Sequence, residues 1–325
     1  MNDGYREPVA LVTGSMGCVG AWTLFHLRQR GATTVSFDLS DNRSRLDLLL
    51  TRAEQAAITF VQGDLTDYHQ VNAAFQAHNI THVIHLAALQ VPFCRANPVL
   101  GAQVNVVGTV NIFEAARHNG VRHVAHASSV AIYGPAERYP PGLIAPDAAP
   151  APTTLYGVYK VADEGIARVY WQDYGISSVG LRPYTIYGPG RDQGLTSEPT
   201  KAMLAVAAGR SYHISFGGAM QFQYASDVAQ QFIDAALTPA DGALMFNLGG
   251  PPTTVEAVAD IIRRLRPGVE ITVGDQRLPF PTGFDDTPLR AHAATVYETP
   301  LAEGIEQTLS HFERALQDGR LAAPA

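Results

Sequence analysis

The sequence predicts an α/β fold: a doubly wound parallel sheet followed by a smaller C-terminal domain. Three observations predict it. Apolar runs and amphipathic helical stretches alternate from residue 9 to residue 182, which is the pattern of crossover-connected parallel strands. The runs lack polar alternation, as strands buried on both faces do. A glycine-rich turn joins the first strand to the first helix, and beyond Pro183 the chain breaks into shorter elements.

Residues 9–38 read as strand, glycine turn, helix and second strand. Val9, Ala10, Leu11 and Val12 lead into Gly14, Gly17 and Gly20. The first two glycines admit a tight turn and let backbone approach a pyrophosphate, and the third lets the helix lie close on the strand. The helix, with Trp22, Leu24, Phe25 and Leu27, directs free N–H groups at phosphates. Met16, Cys18 and Val19 complete the turn. The second strand, 34–37, ends at Asp38, placed to accept from a ribose 2′-OH and to repel a 2′-phosphate, which favours NAD over NADP. Arg43 is the nearby cation that argues the other way. The unit is Rossmann-type.

Further strands are expected at 58–61, 82–86, 124–127 and 179–182, with helices at 71–78, 98–118 and 154–174. Asp64 and Leu65 follow the third strand. Asp64 reads as an adenine contact, with helix capping by Thr66 or Asp67 an equal reading of the region. Leu86, Ala87 and Ala88 end the fourth strand, where small side chains leave room for the pyrophosphate. Ala127 and Ser129 end the fifth. The Pro- and Ala-rich stretch 134–152 is a surface loop, either a lid or a spacer. A helix at 226–237 and a strand at 245–248 return to the main sheet. The domain reading is therefore a cofactor domain at 1–183, completed by about 226–250, and a substrate-binding domain at 184–225 and 251–325.

Composition excludes several classes. With 46% hydrophobic and 16% charged residues the chain is globular, and 23 basic against 30 acidic residues, net −7, leave no footprint for nucleic acid or anionic membrane. The lead MNDGYREP is polar, no apolar run approaches spanning length, and a cytoplasmic location is expected. Cys18 and Cys94 are too few for a disulfide framework or a metal cluster, and His82, His85, His123 and His126 read as packing residues.

Tyr156 and Lys160 lie four apart in a helical stretch and so share a face. A phenol is a weak base at neutral pH, and a neighbouring ammonium favours its phenolate. Tyr156 can then take a proton from a substrate hydroxyl while a hydride leaves for a nicotinamide, and Ser129 can hydrogen-bond the same oxygen.

With these residues in place the chain resembles the extended short-chain dehydrogenase/reductase family, of the NAD-dependent epimerase/dehydratase type. The resemblance runs nearly end to end. It is carried by Thr13-Gly14-x-x-Gly17-x-x-Gly20, Asp38, Gly63-Asp64-Leu65, His85-Leu86-Ala87-Ala88 and Asn105-Val106-x-Gly108-Thr109. It continues through Ser128-Ser129-x-x-x-Tyr133-Gly134, Tyr156-x-x-x-Lys160, Leu181-Arg182-Pro183 and Tyr187-Gly188-Pro189-Gly190. It implies a Ser129–Tyr156–Lys160 catalytic set, Pro183 and Tyr184 at the nicotinamide end, Lys160 on the nicotinamide ribose, Asn105 in the cofactor site, and bound NAD. It also implies a homodimer through the helices bearing Gly108-Thr109 and Tyr156-Lys160.

Two departures bear on substrate. Nucleotide-sugar members usually carry Asn where Thr185 stands, and an Arg where Met220 stands; a desolvated diphosphate needs such donors. Val130-Ala131 lacks the acidic residues of dehydratases. Gln90, Phe93, Tyr133, Tyr184, Thr185, Arg191 and Gln193 are expected to line a pocket for an uncharged or singly anionic polyol, with Arg191 either holding a carboxylate or forming a surface ion pair. The resulting reading is an NAD-dependent oxidoreductase of a small sugar, sugar acid or hydroxy acid. Its alternatives are a nucleotide-sugar 4-epimerase whose diphosphate is held by Arg210, Arg277 or Arg290, and a non-catalytic NAD sensor.

Overall fold

A computed structural model describes residues 8–322; the polar lead at residues 1–7 lies outside them. Six strands build most of the main sheet: β1 (Val9–Thr13), β2 (Thr33–Asp38), β3 (Ile58–Gln62), β4 (His82–His85), β5 (His123–Ala127) and β6 (Ser177–Arg182). After them come β7 (Thr185–Tyr187), β8 (Tyr212–Gly217), β9 (Ala219–Tyr224), β10 (Ala243–Asn247), β11 (Pro252–Thr254) and β12 (Ile271–Arg277). The seven-stranded sheet runs β10-β6-β5-β4-β1-β2-β3, every neighbour parallel. Strand order reverses between β1 and β4, and a crevice forms at the carboxyl ends there.

Both faces of the sheet are covered, which is why its strands read as continuous apolar runs. One face packs Leu11, Val35 and Val124 with Phe113 and Tyr170 from the helices Gly108–His118 and Leu155–Tyr174. The other packs Val12, Ile84 and Val179 with Leu24 and Phe232 from Cys18–Gln29 and Ala225–Leu237, and this cluster continues into Val258, Ile305 and Leu309 of the C-terminal helices. Residues Leu155–Tyr174 begin where Thr154 accepts from the Gly157 N–H, and end at left-handed Gly175.

β7, β9 and β11 form a second sheet, and β8 pairs with β12 in a third. Of these strands the sequence predicts one, a short strand at 270–273, which the structure extends to Ile271–Arg277 as β12; β7, β8, β9 and β11 were not legible, since each pairs with a strand distant in the chain. The stretch 98–118 is one continuous helix with a π turn at Gln103–Val107. The expectation that no segment approaches spanning length is corrected: Pro98–His118, 21 residues at mean hydropathy 1.2, is long and apolar enough, and half of it is buried in the protein. Of the two readings of 134–152, the structure favours a spacer, since Ile144 bridges to Phe284 and Pro146 O accepts from Arg182, while none of the stretch lines the cleft.

Candidate active site

A cleft of about 750 Å³ opens at the crevice. One wall is the glycine turn, Gly14, Met16, Gly17, Cys18, Val19 and Gly20. Gly14 has φ +65°, and a Cβ there would sit 2.6 Å from the backbone of Ala87, so the turn lies directly on the end of β4. The helix Cys18–Gln29 has no side-chain cap, leaving its first-turn N–H groups to a ligand. Asp38 accepts from Met16 N at 2.9 Å and from Ser40 N, which ties the end of β2 to the turn. Asp64 and Leu65 flank it, with Asp64 Oδ1 accepting from Thr66 N and the helix cap falling to Asp67. Leu86, Ala87, Ala88 and Ala127 form the floor, and Pro183 and Tyr184 the far side.

Ser129, Tyr156 and Lys160 line the same cleft as the glycines. Ser129 is extended at the end of β5, its Oγ accepting from Ala131 N. Gly157 brings the helix Leu155–Tyr174 against residue 131, because a Cβ there would overlap the Ala131 carbonyl oxygen. Lys160 is buried, with Nζ 5.9 Å from the Tyr156 ring centroid. It donates to Ala127 O at 2.8 Å and to Asp163 Oδ2 at 2.9 Å. Burial works against its charge, yet the Asp163 carboxylate holds its pKa above the ordinary lysine value. Behind the strand end, Glu164 accepts from Ser128 Oγ at 2.5 Å and from Arg182 in a two-point pair at 2.8 and 2.7 Å.

Gln90 and Arg191 also face the cleft. Arg191 is half-buried, its Nε sealed from solvent, and among the described residues it has no carboxylate within ion-pair distance. It donates to Thr196 Oγ1 in a long bond of 3.3 Å. Burial pulls its pKa below the ordinary arginine value. A desolvated guanidinium with free donors is the arrangement that takes an anion. The surface ion pair expected as its alternative belongs instead to its neighbour: Asp192 pairs with Arg45, which also donates to Met16 O.

Three expected contacts lie elsewhere. Asn105 is fully buried and bonds the backbone of Leu89 from both ends of its amide, so it shapes the loop behind the cleft. Tyr133 is buried against Phe284, its hydroxyl bonded to Asn247 and Arg182. Thr185 is fully buried with its hydroxyl on Met220 Sδ. Each has an apolar or saturated surrounding that a local motif does not reveal. Arg43 stacks over Phe60 at 3.5 Å and does not line the cleft. Arg277 and Arg290 pair with Glu256 and with Asp286 and Glu298, and with Arg210 lie outside the cleft lining. Sequence reasoning missed Asp163, Arg45 and Asp192. Asp163 was readable, being three residues after Lys160 on one helix face; the Arg45–Asp192 pair has no local signal.

The uncapped helix end, the backbone cradle at Gly14 and Asp38 beside it suit a dinucleotide, and fold and cleft together define a nicotinamide-dinucleotide enzyme. A sequence model of the NAD dependent epimerase/dehydratase family matches residues 10–249, and the chain belongs to that family. It is an NAD-dependent enzyme of the extended short-chain dehydrogenase/reductase group. It is similar to a UDP-glucose 4-epimerase of Mycolicibacterium smegmatis, 31% identical over 94% of this chain and 99% of the relative. It is also similar to UDP-glucuronate 4-epimerase 4 of Arabidopsis thaliana, 30% identical over 85% of this chain and 67% of that protein. Among solved structures it superposes on the complex of a Thermus thermophilus UDP-glucose 4-epimerase with NAD at TM-score 0.80, with 28% identity over 94% of this chain and 99% of that one.

Proposed function

We propose that the chain oxidises a secondary hydroxyl of a small polyhydroxylated acid, such as a sugar acid or hydroxy acid, with Arg191 binding the substrate's carboxylate. The observation that carries this reading is Arg191 itself, a guanidinium facing the cleft with no acidic partner among the described residues. NAD, when bound, supplies the hydride acceptor. Tyr156 removes the hydroxyl proton, Ser129 donates to the same oxygen, and the Lys160 charge stabilises the phenolate that takes the proton. Gln90, adjoining Arg191 across Gly194, offers a further polar contact. The glycine turn, Asp38, Asp64, Leu65, Leu86, Ala87, Ala88, Ala127, Pro183 and Tyr184 belong to the cofactor half of the cleft in this reading. Substrate recognition belongs to 184–225 and 251–325, and a cytoplasmic location accompanies it.

A second reading, a nucleotide-sugar 4-epimerase, is favoured by the names of the relatives. Against it stands the scarcity of cations: the cleft lining holds Arg45, Lys160 and Arg191, of which Arg45 is committed to Asp192 and Lys160 to Asp163. Thermal shifts with NAD present separate the two. Stabilisation by aldonic or uronic acids with appearance of NADH absorbance supports the first; stabilisation by UDP-sugars alone, without NADH, replaces it with the second. An NAD sensor without catalysis would show neither turnover nor dependence on Tyr156.

We further read the protein as a homodimer. Leu100 and Val107 on one helix, and Val158 and Val169 on another, are 42–68% exposed together with Val99, and form an apolar face that a second copy would cover.

A further inference from the structure

Lys160 and Asp163 stand three residues apart on the helix Leu155–Tyr174 and are 2% and 1% exposed. With one N–H of the ammonium on Asp163 Oδ2 and another on Ala127 O, the third is left for the cleft side, where Tyr156 lies. Other titratable groups face Lys160 without matching its charge. On its own helix are Tyr156 and Glu164, and Glu164 is committed to Arg182 and Ser128. From β4 comes His85 and from β5 His126, each kept neutral by burial first and by the Lys160 charge second; the His126 value is lowered to about 3. From the helix Val91–Ala96 comes Cys94, whose thiol burial pushes up. Asp163 is thus the carboxylate in contact with the ammonium.

A buried ammonium without such a partner sheds its proton, and a neutral amine gives a phenolate no countercharge. We propose that Asp163 is a positioning residue for the chemistry of this cleft: it keeps Lys160 charged and holds Nζ between the floor of the cleft and Tyr156. The inference rests on the Tyr156 role proposed above. A buried pair that serves packing alone would alter stability and leave Lys160 titration and the pH profile of turnover where they were.

The sequence makes a direct test possible, because it contains two lysines, Lys160 and the exposed Lys201. In NAD-loaded protein carrying nitrogen-15 lysine, the Nζ signals of both are followed through alkaline titration, Lys201 serving as reference. The expected result is a Lys160 midpoint above about 10.4 in the wild type, and a fall of roughly one pH unit or more in Asp163→Asn with Lys201 unmoved. With an oxidisable anionic polyol, Asp163→Asn is expected to lose about tenfold or more in kcat at little change in KM, its alkaline limb moving down with the Nζ midpoint. A wild-type Lys160 midpoint at or below the ordinary value overturns the proposal. So does an Asp163→Asn protein whose Lys160 midpoint or kcat profile stays in place. The wild-type titration requires neither a folded variant nor a substrate, so it judges Asp163 separately from the substrate class: absence of hydride transfer from any polyol would sink the functional reading alone.

Discussion

The Thr185 hydroxyl lies 3.2 Å from the Met220 sulfur, and both side chains are buried, between neighbouring strands β7 and β9. These are the two positions that read, in the sequence, as departures from the nucleotide-sugar members the chain resembles. The two side chains meet in a hydroxyl-to-sulfur hydrogen bond closed to solvent. An Arg at position 220 alone puts a charge into a buried site.

Met220→Arg is accordingly expected to cost about 3 kcal/mol or more of stability and to confer no UDP-sugar binding. Denaturant unfolding and calorimetric titration with a UDP-sugar check both halves; tight UDP-sugar binding by a fully stable variant would show that the site is one substitution from a diphosphate subsite.

Tyr156→Phe is expected to lower kcat by roughly 10² to 10⁴ while NAD affinity changes little, since the ring is kept and the proton acceptor removed. Single-turnover NADH formation and equilibrium NAD binding measure the two quantities. Retained turnover would remove Tyr156 from the mechanism.

Arg191→Gln keeps polarity and removes charge. For a carboxylate substrate kcat/KM is expected to fall roughly 10- to 100-fold, and much less for the matching uncharged polyol. Equal losses on both substrates would assign Arg191 to loop structure, not to anion binding.

Acid stability follows from the buried imidazoles. The pKa of His126 is lowered to about 3 by burial, and the values of His26 and His311 to about 4. Folded protein therefore binds these protons less readily than the unfolded chain does. Their contribution is complete above about pH 6.5, the ordinary imidazole value, and is lost as pH falls toward the lowered values. Among the described residues neither nitrogen of His126 has a hydrogen-bond partner. His126→Leu is expected to raise stability at neutral pH by roughly 1 kcal/mol and to flatten the decline below pH 6.5. Urea midpoints measured across pH 4–8 would refute this if the slope stayed that of the wild type.

Lysines in place of Val107 and Val158 are expected to convert a dimer of 34.9 kDa chains into monomers without loss of helix signal. Light scattering decides it; a monomeric wild type refutes the interface.

The sequence alone determined the strands of the main parallel sheet, their alternation with helices along the chain, and the location of the dinucleotide cradle. Those features rest on local rules: residues 9–12 are apolar throughout because both faces of β1 are covered, and Gly14 is glycine because its backbone lies on Ala87. Tyr156 and Lys160 were legible for the same reason, since helix geometry alone puts them on one face. Only the tertiary structure decided which polar residues face the cleft and which are sealed behind it. Asn105, Tyr133 and Thr185 sit near the site in sequence motifs yet spend their hydrogen bonds on Leu89, Asn247 and Met220, whereas Arg191 is left without a carboxylate because Asp192 turns to Arg45 across 147 residues. Long-range pairing of this kind depends on which strands and loops become neighbours, and no local pattern encodes that.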